Sequence, residues 1–449
     1  MRNFDVFVIG TGTAGETAAG LLVQAGLSVG IADSDRFGGT CALRGCQPKK
    51  YLVVPAHAAL EGAALTARGF VAPPELDWSV MQRSRAEFTD AVPASTEEGL
   101  RNRGITVFHG QCRFIDADTI SCEGETITAR RFLLAAGARP RELPLPGGEL
   151  AVSSDDFLSL PELPRHVTFV GGGYISMEFA TVAAAAGAGV TVLQRGDLIL
   201  DRFDPDLVDQ LQRSCLVRGM DIRTGVTPEK ITAEAGSGNG FTVHLEDGSR
   251  INTDLVVAAI GRVANTDTLD LERAGLESSP RGIETDREMR TAVPTILAVG
   301  DCVAGIQLSP VSDKEAQVAA RNIIADLQGG TTRELEMPVL PTVVFTWPQL
   351  AQFGLSVEEA RQRGGVRINS GSGAGWPSYR RLNEKHMRYT VIIDENTDTI
   401  LGAHLLAPQA GEMINLLALA AKAGTTAREF REFPWAYPTY LSDLKYMLG

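Results

Sequence analysis

A strand that runs into a glycine-rich turn and then into a helix is written twice in this 449-residue chain. The first copy has an apolar strand over residues 5–9, the turn Gly10-Thr11-Gly12-Thr13-Ala14-Gly15 and an Ala/Leu-rich helix to about residue 25. The second has a strand over residues 166–170, the turn Gly171-Gly172-Gly173-Tyr174-Ile175-Ser176 and a helix to about residue 186. A further short strand follows each helix, at residues 28–32 and 189–193. Such a unit folds as strand, tight turn, helix and parallel strand, and the backbone N–H groups at its helix N-terminus meet a pyrophosphate. Glycine permits the turn and lets the phosphate approach the backbone. One glycine pattern alone is weak. Two in the same context point to an α/β chain with two Rossmann-like dinucleotide-binding domains. Gly10, Gly12 and Gly15 belong to the first site. Gly171 and Gly173 belong to the second, where Ser176 takes the third small position.

The copies differ at the end of the second strand. Asp33 lies 23 residues after Gly10, and Gln194 lies 23 residues after Gly171. A carboxylate at this point accepts hydrogen bonds from a ribose 2′-OH, so Asp33 suits the adenosine end of FAD or NAD. The second copy has no acid there. Arg195 follows at once and Arg202 one short loop later. Arginine grips a 2′-phosphate that a carboxylate would repel. The second copy therefore leans towards NADPH, with NADH as the alternative if both arginines are solvated surface residues.

The net charge of −13 speaks against a nucleic-acid surface, since phosphate binding wants a basic stripe. No apolar run approaches the roughly 18 residues of a membrane helix, so no membrane partner is expected. The N-terminus runs straight into the first strand and reads as fold, not as a signal peptide; a cytoplasmic location is the expectation. Six cysteines in so long a chain do not make a disulfide framework. Two of them, Cys41 and Cys46, stand close together in Gly38-Gly39-Thr40-Cys41-Ala42-Leu43-Arg44-Gly45-Cys46-Gln47-Pro48-Lys49-Lys50. In a reducing cytosol a close pair is catalytic more often than structural. A metal site would need a second Cys/His pair nearby, and none follows, so no metal is expected. Cys112, Cys122, Cys215 and Cys302 have no partner motif and read as buried thiols packing as small hydrophobes.

These residues resemble the flavin-dependent pyridine nucleotide–disulfide oxidoreductases, the group of glutathione reductase, dihydrolipoamide dehydrogenase and mercuric reductase. The likeness spans nearly the whole chain. It runs through the first fingerprint, Gly39 to Lys50, Ala135-Ala136-Gly137, Gly171 to Glu178, Ala259-Ile260-Gly261-Arg262, Ala298-Val299-Gly300-Asp301 and Pro341-Thr342-Val343-Val344-Phe345-Thr346. The resemblance implies FAD-binding segments at 1–148 and 266–333, an NAD(P) domain at 149–265 and an α+β dimerisation domain at 334–449. It implies that Gly39, Thr40, Gly137 and Asp301 join Gly10, Gly12, Gly15 and Asp33 at FAD. Tyr174, Gly261 and Arg262 join the nucleotide side. Cys41 and Cys46 become a redox-active disulfide, with Cys46 as the flavin-side thiolate and Cys41 as the outer attacker. A thiolate near a flavin and a helix N-terminus is expected to have a depressed pKa. Bridging so short a span needs a bent first helical turn, which Gly45 permits. Lys49 and Glu178 match a lysine–glutamate pair beside flavin and nicotinamide, and Tyr174 matches an aromatic gate; the plain alternatives are a surface pair and a core aromatic. A homodimer is implied, with an apolar helix at 413–423 as an interface candidate and ordinary core packing as its alternative.

The acceptor end departs from the pattern. Disulfide reductases of this kind end in a His-Pro segment whose histidine, from the other subunit, protonates the leaving thiolate, and a glutamate orients it. Here the stretch is Trp435-Ala436-Tyr437-Pro438-Thr439-Tyr440-Leu441-Ser442, with Tyr437 in place of the histidine and Ser442 in place of the glutamate. A phenol with a pKa of about 10 is a poor acid–base catalyst at neutral pH. Gly20 and Gln317 stand where glutathione reductases carry arginines for glutathione carboxylates. The C-terminus lacks the cysteine pair of mercuric reductases. Three readings follow. The first passes electrons from NADPH through FAD and Cys41–Cys46 to a small or activated acceptor: a disulfide other than glutathione's, a polysulfide or a metal ion. The second is a quinone or dye reductase in which electrons leave the flavin. The third is a nucleotide-binding flavoprotein without catalysis. Both cysteines being present favours the first.

Overall fold

A computed structural model of the chain describes residues 1–233, 240–337 and 339–449. The chain divides into two compact units. One comprises Met1–Tyr51, Arg83–Arg141 and Gly261–Glu336; the other comprises Leu52–Gln82, Glu142–Ile260 and Met337–Gly449.

The first unit is built on a seven-stranded sheet. Its leading elements are β1 (Arg2–Ile9), α1 (Thr13–Gln24), β2 (Val29–Asp33), α2 (Gly39–Leu43), the part of α3 (Cys46–Ala64) up to Tyr51 and the part of α4 (Trp78–Asn102) from Arg83. Then come β3 (Thr106–His109), β4 (Arg113–Asp116), β5 (Thr119–Cys122) and β6 (Glu125–Leu134). The strand order is β3-β2-β1-β6-β5-β4, and the strand Ile296–Ala298 also pairs with β6. β3, β2, β1 and β6 run parallel, while β4–β5–β6 is antiparallel. Both faces of the sheet are covered, so the second half of β1, Val6 to Ile9, is a continuous buried apolar run. Val6 and Val8 face a core with Ala18, Ala19, Leu22 and Ile31. Phe7 and Ile9 face another with Phe108, Phe132 and Leu134. Burying each such large side chain is worth about 1.5–3 kcal/mol. The helix Ser309–Gln328 packs along α1, and the alanines of both let them approach closely.

The second unit holds three sheets. A parallel five-stranded sheet carries the second glycine turn, with Asp221–Thr224, Gly189–Gln194, His166–Val170, Leu255–Ala258 and Val152–Ser153 in that order. A three-stranded antiparallel sheet spans Pro228–Ala233, Phe241–Leu245 and Arg250–Thr253. The C-terminal part is a five-stranded antiparallel sheet backed by the helix Ala410–Ala423. That helix buries Met413, Ile414 and Leu417 in the core of its own chain and leaves Leu419 exposed on its other side. Two Rossmann-like sheets and an α+β C-terminal domain are thus present. Among the described residues no helix is long and apolar enough to cross a membrane.

Candidate active site

The first glycine turn forms a cradle that tolerates no side chain. A Cβ on Gly15 would lie 1.9 Å from the Gly10 carbonyl oxygen, which allows the first turn of α1 to sit against the end of β1. Gly39, at φ +65°, packs against Gly12; a Cβ there would lie 2.4 Å from the Gly12 Cα. The N-termini of α1 and α2 are thereby brought together as a concentration of backbone donors, which suits the pyrophosphate of FAD. Asp33 ends β2 beside them. Its Oδ2 accepts from the Thr11 N–H at 2.8 Å and from the Thr11 hydroxyl at 2.7 Å. The same hydroxyl accepts from Gly38 N–H at 3.2 Å, tying the loop before α2 to the cradle.

The second turn repeats this wiring with one exchange. The Gly172 N–H donates to Gln194 Oε1 at 2.9 Å, the counterpart of Thr11 to Asp33. Ser176 is fully buried in the place of Gly15. Arg195 and Arg202 are exposed, and among the described residues neither guanidinium forms an ion pair. Tyr174 begins the helix Tyr174–Ala185 and is 43% exposed. Glu178, one turn on, is buried, and its Oε1 accepts from Phe345 N–H at 2.9 Å.

The dithiol sits where two helices break. Cys41 lies in α2 and Cys46 opens α3. At the junction a Cβ on Gly45 would come within 2.9 Å of the Thr40 carbonyl oxygen, so glycine serves close approach here. The two thiols are neighbours; the Cys46 sulfur and burial push the Cys41 thiol up, while the Ser309 and Thr13 hydroxyls pull it down. Cys41, the outer sulfur, thus favours its protonated form. Ser309 Oγ is 3.5 Å from Cys46 Sγ. Thr13 opens α1 and Ser309 opens the helix that packs on it, so two helix N-termini converge on the sulfurs. Neither hydroxyl was marked by a sequence motif, although Ser309-Pro310 is a helix-start signal. Lys49 is buried one turn into α3.

Asp301 lies in the turn after the strand Ile296–Ala298. Burial pushes its carboxyl up, and Arg262 and the Ser312 hydroxyl pull it back. Arg262 and Gly261 fall in the first unit, where Arg262 Nη2 donates to the Ala138 carbonyl at 2.6 Å. Gly137, at φ +68°, accepts from Asn265 N–H at 3.0 Å on the same ladder. Glu315, which sequence reasoning missed, supports this turn. Its Oε2 accepts from Gly300 N–H at 2.7 Å, and burial pushes its carboxyl up to about 7.

A groove of about 240 Å³ runs along α1 and the helix Ser309–Gln328. Glu16, Gly20, Gln24, Arg103, Gln317 and Arg321 line it. The Arg103 Nη1 lies 3.3 Å from where a Cβ on Gly20 would stand. Arg321 stands one turn beyond Gln317 on the same helix. Two cations thus line the groove beside positions 20 and 317. Tyr437 is 69% exposed on the C-terminal part. Among the described residues no cluster of three His, Cys, Asp or Glu could hold a metal ion.

The family model described as pyridine nucleotide-disulphide oxidoreductase matches residues 4–319, and the family's dimerisation domain matches residues 340–448. Glutathione reductase of Burkholderia cepacia is 32% identical, with 98% of this chain and 97% of that protein covered. Dihydrolipoyl dehydrogenase of Halobacterium salinarum is 31% identical, with 97% and 93% covered. Among solved structures, the HOCl-induced flavoprotein disulfide reductase RclA from Escherichia coli superposes with a TM-score of 0.89 at 28% identity, covering 99% of each chain. RclA has also been solved as a Cu(II) complex, with a TM-score of 0.89 at 27% identity.

Proposed function

The chain belongs to the pyridine nucleotide–disulphide oxidoreductases, and from that premise we propose that it is an NADPH-dependent reductase of a small anionic sulfur acceptor, an acidic low-pKa disulfide or a polysulfide. The family uses FAD and NAD(P)H, and the dimerisation domain supports a homodimer. When bound, FAD takes a hydride from the nicotinamide and supplies an electron pair to a disulfide. On this reading segments 1–148 and 266–333 hold FAD, with Gly10, Gly12, Gly15, Gly39, Thr40 and Gly137 at its phosphates and turns and Asp33 and Asp301 on its sugar chains. Segment 149–265 takes NADPH through Gly171, Gly173, Arg195 and Arg202, with Tyr174 covering the nicotinamide place. Segment 334–449 forms the dimer interface, and the enzyme works in the cytoplasm.

Cys41 does the exchange. Its S–H is hydrogen-bonded to Cys46, which takes the proton as the Cys41 sulfur attacks the acceptor disulfide. One acceptor thiolate leaves and a mixed disulfide forms. Cys46 releases that proton to water and attacks the Cys41 sulfur, the second acceptor thiolate leaves, and the Cys41–Cys46 bond closes. Ser309 and Thr13 stabilise thiolate charge at the pair. With Tyr437 in place of a histidine, the leaving thiolate goes without strong acid help, so acceptors with acidic thiols are favoured.

The groove along α1 and the helix Ser309–Gln328, lined by Arg103 and Arg321 with Glu16 beside Arg103, supports the choice of an anionic acceptor. Arg321→Gln should raise KM for acidic disulfides roughly tenfold or more, the value of one charge-assisted hydrogen bond, with kcat little changed. Anaerobic titration with NADPH and NADH, followed by an acceptor panel, tests the whole reading. Full turnover in Cys41→Ser would sink it and leave electrons departing from the flavin to a quinone or dye. RclA's Cu(II) complex favours a second reading, a metal ion as acceptor. Two metal ions, each reduced by one electron, would close the disulfide and release the one proton the pair holds, with no leaving thiolate for residue 437 to protonate.

A further inference from the structure

Cys112 and Cys122 have no motif, yet the hairpin β4–β5 sets them face to face. Arg113 pairs with Ser121 and Phe114 with Ile120, so the next pair out is Cys112 with Cys122. The Phe114 N–H donates at 2.9 Å to the Leu269 carbonyl, away from β5. Phe114–Ile120 is therefore a non-hydrogen-bonded pair, and Cys112–Cys122, two residues along, is of the same kind. Such pairs hold their Cα atoms about 4.5 Å apart with side chains at their closest. A disulfide spans Cα separations of about 4.4–6.8 Å. Both thiols point to the buried face, with Phe114 and Ile120. Cys122 donates to the Gly110 carbonyl at 3.8 Å. The neighbouring Cys122 sulfur, burial and the nearby Asp33 and Glu123 charges push the Cys112 thiol up.

We propose that Cys112 and Cys122 form a second dithiol–disulfide couple, separate from Cys41–Cys46, whose oxidised form fastens the FAD ribose end of the first unit. The pair closes the base of β4–β5, and β4 is the outermost strand of its sheet. Gly110 links this base to the cradle, because its N–H donates to the Asp33 carbonyl at 2.8 Å. Glu123 adds a second tie by accepting from the His109 N–H. The oxidant is a peroxide. One of the two sulfurs attacks a peroxide oxygen, the O–O bond breaks, and water leaves with a sulfenic acid on that cysteine. The other sulfur then attacks the sulfenic sulfur, the S–O bond breaks and a second water leaves. Two thiols lose two electrons and one peroxide becomes two waters. An external dithiol restores the pair by exchange and leaves as its own disulfide.

The fastening rests on Asp33 as the ribose ligand, and the test separates the two. The holoprotein is titrated with hydrogen peroxide, quenched in acid, alkylated under denaturing conditions and mapped by peptide mass spectrometry. The expected result is a peptide pair joined through Cys112 and Cys122, lighter by two hydrogens and split by reductant. Full alkylation of both residues, at doses that oxidise Cys41–Cys46 completely, overturns the proposal. Flavin fluorescence on heating gives the second readout. Oxidised protein should release FAD at a higher temperature than reduced protein, and Cys122→Ser should show no such difference. A disulfide that forms without moving flavin release overturns the fastening. Failure of the ribose reading shows separately, as Asp33→Asn protein that keeps its FAD.

Discussion

At the scale of single residues, the site is governed by groups held in protonation states unlike their ordinary ones. Glu315 is the clearest. Folded, its carboxyl keeps its proton up to about pH 7, whereas the unfolded chain releases it near 4.5. Between those values the native state binds the extra proton, so stability is greatest at the acid end and falls as pH rises. The span corresponds to roughly 3 kcal/mol at most, at about 1.4 kcal/mol per unit of pKa. Glu315→Gln should flatten that part of the stability profile and leave the Gly300 hydrogen bond in place. Urea unfolding of both proteins from about pH 5 to 8 checks this, and an unchanged slope in the variant would refute the assignment. Cys41 is a second such group, its thiol pushed up by the neighbouring Cys46 sulfur and by burial.

At the scale of elements, one strand–turn–helix–strand plan serves two nucleotides, and the difference between them is concentrated at the strand end. Gln194→Asp should remake the second site in the image of the first. We expect the ratio of kcat/KM for NADPH to that for NADH to fall by at least tenfold, because a carboxylate repels a 2′-phosphate and binds a ribose hydroxyl. Steady-state kinetics with both nucleotides decides it. The turns of these cradles were legible in the sequence because their glycines act locally: Gly15 is required by the Gly10 carbonyl at the start of the same turn, whereas the approach of Gly39 to Gly12 joins segments far apart in the chain. The acid at 33 and the amide at 194 were legible for the same reason. The hydroxyls of Thr13 and Ser309 were not, since they meet the dithiol only when helices far apart in the chain pack together. Arg103 hid likewise: its relation to Gly20 arises from packing between α1 and the end of α4. The Cys112–Cys122 pair depends on hairpin register through a turn, Ala117-Asp118, that carries no glycine or proline to announce it.

At the scale of the whole molecule, the acceptor end is the part that the second copy of the chain completes in this family. Tyr437 is exposed in one chain, as a group awaiting a partner surface should be. Tyr437→His should raise turnover of ordinary thiol disulfides by tenfold or more, within the 10²–10⁴ that acid–base help typically gives. Activity on polysulfide or on metal ions should stay level, since neither expels a strongly basic thiolate. Equal rates for the two proteins on every acceptor, with the dimer intact by sedimentation, would remove Tyr437 from the chemistry. The paired cradles carry one more consequence. Gln194 spends its amide oxygen on the Gly172 N–H, so its NH₂ remains as a donor, close to Gly196. Asp33 presents only lone pairs. The two strand ends share a wiring but have opposite polarity, like a plug and a socket cut from one mould. A molecule with two such cradles has the means to sort two adenine dinucleotides without any difference in size.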